Sequence, residues 1–79
     1  MPFFFFQWDD ENEAHLAEHG VSMDEFAEIV CDPDRVETRR TSGRPIAFGY
    51  TSTGKYLACE YELLDETTVY AITAFEPEE

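Results

Sequence analysis

Val21-Ser22-Met23-Asp24-Glu25-Phe26-Ala27-Glu28-Ile29-Val30 carries a full set of helix-start signals. Ser22 and Glu25 have the spacing of a capping box, in which each side chain satisfies a backbone N–H at the other's position. Val21 and Phe26 stand where a hydrophobic staple needs apolar partners. Phe26, Ile29 and Val30 recur at helical spacing and form one apolar stripe. Asp32-Pro33-Asp34 ends the segment, because the residue before a proline is driven out of helical conformation. A shorter helix should precede it, starting near Asp9 or Asp10. Its first turn is filled with Asp, Glu and Asn, which suit the positive end of the helix dipole. Gly20 is placed to end that helix in the left-handed C′ conformation.

The rest of the chain reads as strand. Residues 3–8 are aromatic and favour extended backbone. Residues 35–40 alternate weakly, and Thr41-Ser42-Gly43 makes a turn. Ile46, Phe48 and Tyr50 alternate with Ala47 and Gly49. Ser52-Thr53-Gly54 turns the chain into residues 56–61, and residues 64–67 turn it into 68–75, rich in β-branched and aromatic side chains. The expectation is one α+β domain spanning residues 1–79. It has an N-terminal strand, two helices, then a three- to four-stranded antiparallel sheet with the helices on one face. Glu76-Pro77-Glu78-Glu79 offers too little material for another helix.

A chain of 79 residues buries roughly 60–68% of its unfolded surface, so its core is modest. With 43% apolar residues, including seven phenylalanines, four tyrosines and one tryptophan, it is nevertheless read as folded despite a net charge of −13. That charge is polarised. Residues 1–34 hold ten acids and no lysine or arginine; residues 35–55 hold all five bases against one acid, Glu37; residues 56–79 hold seven acids and no base. Arg39, Arg40 and Arg44 flank a turn, and their guanidinium forks suit an anion such as phosphate. The competing reading is that they neutralise acids of the same fold. RNA binding is disfavoured by the overall charge, which repels a polyanion before local contacts form.

Cys31 and Cys59 lie in apolar runs and are expected to be reduced core thiols, which points to the cytoplasm. The short apolar run at residues 3–6 has no basic flank and is followed by acids, so neither a signal peptide nor a membrane span is expected. His15-Leu16-Ala17-Glu18-His19 matches H-x-x-E-H, a pattern that can hold zinc on one helix face. Gly20 ends the helix at once, so no metal or other cofactor is expected there. His19 instead suits a C-terminal capping or packing role. No phosphate loop, dinucleotide fingerprint or nucleophile elbow is present.

A family pattern emerges from several pieces together. Trp8-Asp9, then His15-Leu16-Ala17-Glu18-His19-Gly20-Val21-Ser22, continues through Phe26-Ala27-Glu28-Ile29-Val30 and Asp32-Pro33. It resumes at Arg44-Pro45-Ile46-Ala47-Phe48-Gly49, Thr51, Gly54-Lys55 and Leu57, and closes with Val69-Tyr70-Ala71-Ile72-Thr73-Ala74. The whole resembles the BrnT toxins of the RelE/ParE superfamily. The resemblance implies a strand–helix–helix–sheet fold and a metal-independent ribonuclease paired with a ribbon–helix–helix antitoxin. It implies His19, Arg44 and Lys55 as catalytic residues, with Tyr56 and Tyr70 as further candidates. The family usually carries a base in the first helix, where Asn12, Glu13 and Glu18 stand here. It usually has an arginine where Phe75 stands, and a basic C-terminal helix where this sequence ends in acids. The expectation is therefore a toxin-like domain, catalytically weak or inactive, that binds another macromolecule such as a basic protein or a second copy of itself. An active ribonuclease toxin and an unrelated acidic binding domain are the alternatives.

Overall fold

The computed structural model describes residues 4–77. The elements are β1 (Phe5–Gln7), α1 (Asp10–Glu18), α2 (Met23–Cys31), β2 (Arg35–Thr38), β3 (Pro45–Tyr50), β4 (Tyr56–Leu63) and β5 (Thr68–Phe75). The strands form one sheet in the order β1-β5-β4-β3-β2. β2 to β5 are joined as antiparallel neighbours, as the turn signals imply. The α+β arrangement is thus the one read from the sequence, with one addition. β1 joins the far edge in parallel to β5, with Phe5 opposite Thr68, so the sheet is five-stranded and mixed. Parallel pairing needs no local turn and leaves no local sequence signal. The strand expected at residues 3–8 is shorter than anticipated, and residue 3 lies outside the described residues.

Both helices begin with reciprocal caps. Ser22 Oγ accepts from the Glu25 N–H at 3.1 Å, and Glu25 Oε1 accepts from the Ser22 N–H at 3.0 Å. In α1 the same geometry is built from Asp9 and Asn12, at 2.8 and 2.9 Å. The α1 C-terminus closes as a Schellman motif. Gly20 N–H donates to Ala17 O and Val21 N–H to Leu16 O, both at 3.0 Å, with Gly20 at φ 72°. Gly20 and Val21 alone separate the two caps, so a two-residue turn joins α1 and α2.

Each helix has nine residues, too few to persist without tertiary packing. Phe26, Ile29 and Val30 of α2 join Leu16 and Val21 over Ala47, Leu57, Cys59, Tyr61, Val69, Ala71 and Ala74. The sheet meets α2 closely at Gly49, where a Cβ would lie 3.5 Å from Ile29 Cδ1 and 3.4 Å from the Asp34 backbone nitrogen. Phe6, Trp8 and Phe26 interlock, with Phe6 to Trp8 at 6.1 Å and Trp8 to Phe26 at 5.7 Å between ring centroids. This cluster fixes β1 against the helical layer.

Phe26 is fully buried and touches both layers, so Phe26→Ala should cost about 3–5 kcal/mol. Ser22→Ala removes one cap and should cost about 1 kcal/mol. Urea unfolding followed by circular dichroism distinguishes these two losses.

Candidate functional site

Alternation along β4 turns Leu57, Cys59 and Tyr61 toward the helices and sets Ala58 and Glu60 on the opposite face. Glu60 is only 3% exposed, and a buried carboxylate requires partners. The hairpin joining β2 to β3 supplies them. Its loop is closed by Arg39 N–H to Arg44 O at 2.8 Å and by Gly43 N–H to Arg39 O at 2.7 Å, with Gly43 at φ 72°. This geometry brings Arg39 Nη1 to 2.6 Å from Glu60 Oε1 and Ser42 Oγ to 2.7 Å from Glu60 Oε2. Arg44 approaches Glu60 at 3.7 Å and Glu62 at 3.8 Å. These last are ion pairs beyond hydrogen-bond length. Burial pushes the Glu60 pKa upward. The hydrogen bonds from Ser42 and Arg39 and the charges of Arg39 and Arg44 outweigh it, leaving the group below the usual glutamate value.

The remaining bases fall into three situations. Arg35 bonds Glu37 at 2.8 Å and lies 4.4 Å from the Phe48 ring centroid. Arg40 is exposed and has no ion pair among the described residues. Lys55 Nζ donates to Gly20 O at 3.0 Å and lies 3.1 Å from Glu25 Oε2, tying the loop before β4 to the turn between the helices. Of the three residues proposed for anion binding, Arg39 and Arg44 therefore converge, but on an internal carboxylate. Arg40 stands apart.

The candidate catalytic set is divided. His19 is the C-cap of α1, its backbone N–H bonds Leu16 O, and its exposed ring lies 5.7 Å from that of His15. Lys55 reaches the adjoining Gly20, so His19 and Lys55 share one end of the molecule. Arg44 sits at the other end of β3, whose last residue, Tyr50, faces Tyr56 just after Lys55. Six residue steps separate Arg44 from Tyr50, roughly 20 Å along an extended strand. Tyr56 packs against Phe48 and Tyr50 at 6.5 and 4.7 Å on the face away from the helices. Tyr70 donates its hydroxyl to Asp9 Oδ2 at 2.7 Å.

A groove of about 260 Å3 runs between α1 and β5, lined by Glu11, Asn12, His15, Tyr70, Ala71 and Ile72. Glu11 and His15 are one helical turn apart and share the outer face of α1. A bulge in β5 shapes the opposite wall: Glu60 and Tyr61 pair with Thr73 and Ala71, leaving Ile72 as the extra residue. Asn12 supports the floor, donating through Nδ2 to Gln7 O at 3.1 Å. Asp9 is held below the usual aspartate pKa by the Asn12 N–H and by the Tyr70 hydroxyl. The same bond pushes Tyr70 upward, so its phenol stays a protonated donor. The lining carries one carboxylate, Glu11, beside His15; the Asp9 carboxylate adjoins it through Tyr70, and among the described residues no lysine or arginine lines it. The groove accordingly suits a cationic group with some apolar stem. Nothing in the sequence pattern marked it, because its second wall depends on the bulge.

The thiols offer no reactive centre here. Cys59 is buried, and burial together with the nearby Glu25 charge pushes its pKa to about 12. Cys31 is pushed upward by burial as well, and both are free. Among the described residues, no three His, Cys, Asp or Glu side chains converge as metal ligands, and no helix is long and apolar enough to cross a membrane. Compared with family models, curated proteins and solved structures, the chain matches none.

Glu60 has a lowered folded pKa, so its stabilisation is fully present above the ordinary glutamate value of 4.5 and is lost as pH falls below it. Glu60→Gln should lower stability at pH 7 by about 1–3 kcal/mol, since it leaves buried groups imperfectly paired. The variant should also lose less stability than the parent between pH 5 and pH 3, roughly the range in which such a carboxylate protonates. Urea midpoints across that range measure both effects.

Proposed function

We propose that this chain is a toxin-like domain of the BrnT/RelE type that acts by binding a basic protein segment, with little or no ribonuclease activity. The observation that carries the reading is the use of its bases as internal counter-ions. Arg39 and Arg44 serve Glu60, and Lys55 serves Glu25 and the α1 C-terminus. An RNA phosphate would have to compete with these carboxylates and approach a protein of net charge −13. Transition-state stabilisation by cations also requires them to converge on one group. His19, Lys55 and Arg44 are spread over two ends of the sheet.

A cationic partner fits the opposite demand. The α1–β5 groove offers Glu11, the nearby Asp9 carboxylate and the apolar edge of Ile72. A lysine or arginine side chain can lay its methylene stem on Ile72 and keep its charged head among the acids. A basic antitoxin-like protein of the ribbon–helix–helix type is the partner that the family resemblance supplies, and the cytoplasm is the compartment that goes with it.

The purified protein should leave single-stranded RNA intact while binding a lysine- and arginine-rich peptide in calorimetry. Glu11→Lys should weaken that binding by roughly tenfold, as expected for reversing one charge at a contact. Catalytic RNA cleavage that disappears in Arg44→Ala would overturn the reading. So would growth arrest on expression of this chain alone.

A further inference from the structure

β2 forms an outer edge of the sheet, and all four of its residues are exposed. Open edges pair readily with other strands, and proteins usually guard them with prolines, bulges or like charges. Arg35–Thr38 is short, but it contains no proline or bulge, and its two charges, Arg35 and Glu37, are of opposite sign. Its register to β3 is continuous, with Arg35 opposite Phe48 and Thr38 opposite Pro45. The Arg39 N–H to Arg44 O bond extends that register into the loop. In an antiparallel ladder, hydrogen-bonded positions alternate, so Arg35 and Glu37 bond inward to β3. The backbone groups of Val36 and Thr38 are then directed to the open edge.

We infer that β2 is a self-pairing surface, on which two copies of this chain join antiparallel about a two-fold axis at Val36. The charge pattern selects the second copy as occupant. Pairing about Val36 sets Arg35 opposite Glu37 of the second copy, and Glu37 opposite its Arg35. Opposite charges facing across strands stabilise, whereas like charges destabilise. A register centred on Glu37 would instead set Glu37 against Glu37 and Arg35 against Arg39. Val36 itself, 49% exposed, would meet its own symmetry mate.

Global charge favours this edge as well. Two molecules of net charge −13 repel through most of their surfaces. All five bases fall in residues 35–55, so the β2–β3 hairpin is where that repulsion is weakest. At physiological salt, distant charges are screened beyond about 8 Å, while pairs in contact persist. The resulting sheet would run through both copies with ten strands, leaving the helical layers and the α1–β5 grooves uncovered. The pairing does not depend on the function proposed above.

Sedimentation equilibrium of the full chain in physiological salt tests it. Concentrations on the order of 0.5 mM register even contacts smaller than the ~1,200 Å2 of stable interfaces. The mass should approach twice 9.1 kDa. Arg35→Glu and Glu37→Arg should each weaken dimerisation by about tenfold, and the double swap should restore it, as facing pairs require. The single changes move net charge in opposite directions, so a general charge effect would shift them oppositely. Val36→Lys, at a half-exposed site that tolerates substitution, should abolish the dimer while leaving the circular dichroism spectrum unchanged. A wild-type monomer at that concentration overturns the inference. So does a dimer indifferent to these changes, or a double swap that fails to recover.

Discussion

Burial of one short apolar stripe, Phe26, Ile29 and Val30 of α2, organises everything else in this molecule. Two nine-residue helices cannot persist alone. They exist because that stripe finds a sheet whose facing positions are small, at Ala47, Gly49, Ala71 and Ala74, so that helix and strand approach closely. Phe26 then gathers Phe6 and Trp8, which hold the N-terminal strand beside β5. The Asp9 cap and its bond to Tyr70 follow from that placement, and with them the groove between α1 and β5.

The second organising constraint is electrostatic. Eighteen acids and five bases share a small surface, and the bases are placed where an acid most needs one. Glu60, the most enclosed carboxylate in the sheet, receives Arg39 and Ser42 directly and Arg44 at longer range. Lys55 does comparable work at the junction of the helices, where it meets both a carboxylate and the Gly20 backbone carbonyl. A basic segment that reads as a ligand site in the sequence is, in three dimensions, largely a set of fasteners.

What the sequence disclosed and what it withheld separate along physical lines. The α2 start was legible because a capping box and staple are contained in six residues, Val21 to Phe26. Gly20 was legible as a helix end because only local backbone geometry is at stake. The β2–β5 strands were legible through alternation and turn residues. The parallel seat of β1 was not, since it depends on partners some sixty residues away. Nor was the destination of Arg39, which meets a carboxylate 21 positions along the chain. The reading that these arginines neutralise acids of their own fold matches the ion pairs of Arg39 and Arg44, without having named Glu60, and does not extend to Arg40. Of the catalytic candidates, Lys55 and His19 fell near one another while Arg44 did not, because strand length sets that separation and motif order does not reveal it. The bulge at Ile72 has no sequence mark, and the groove was invisible with it.

The clamp around Glu60 makes this surface lopsided in what it tolerates. Apart from acids that hold backbone or side-chain donors, such as Asp9 and Asp65, an exposed acid here is one of many, and exchanging it for a neutral residue mainly relieves repulsion. A base is seldom spare: without Arg39 or Lys55 an acid loses its closest counter-charge, and in the case of Glu60 that acid is nearly sealed from water. Random change can therefore drift the chain toward neutrality by losing acids far more freely than it can drive it further negative by losing bases. The extreme acidity is accordingly something the fold carries at the limit of its few cations, and Arg40 is the one member of that set whose own chain gives it no ion-pair partner among the described residues.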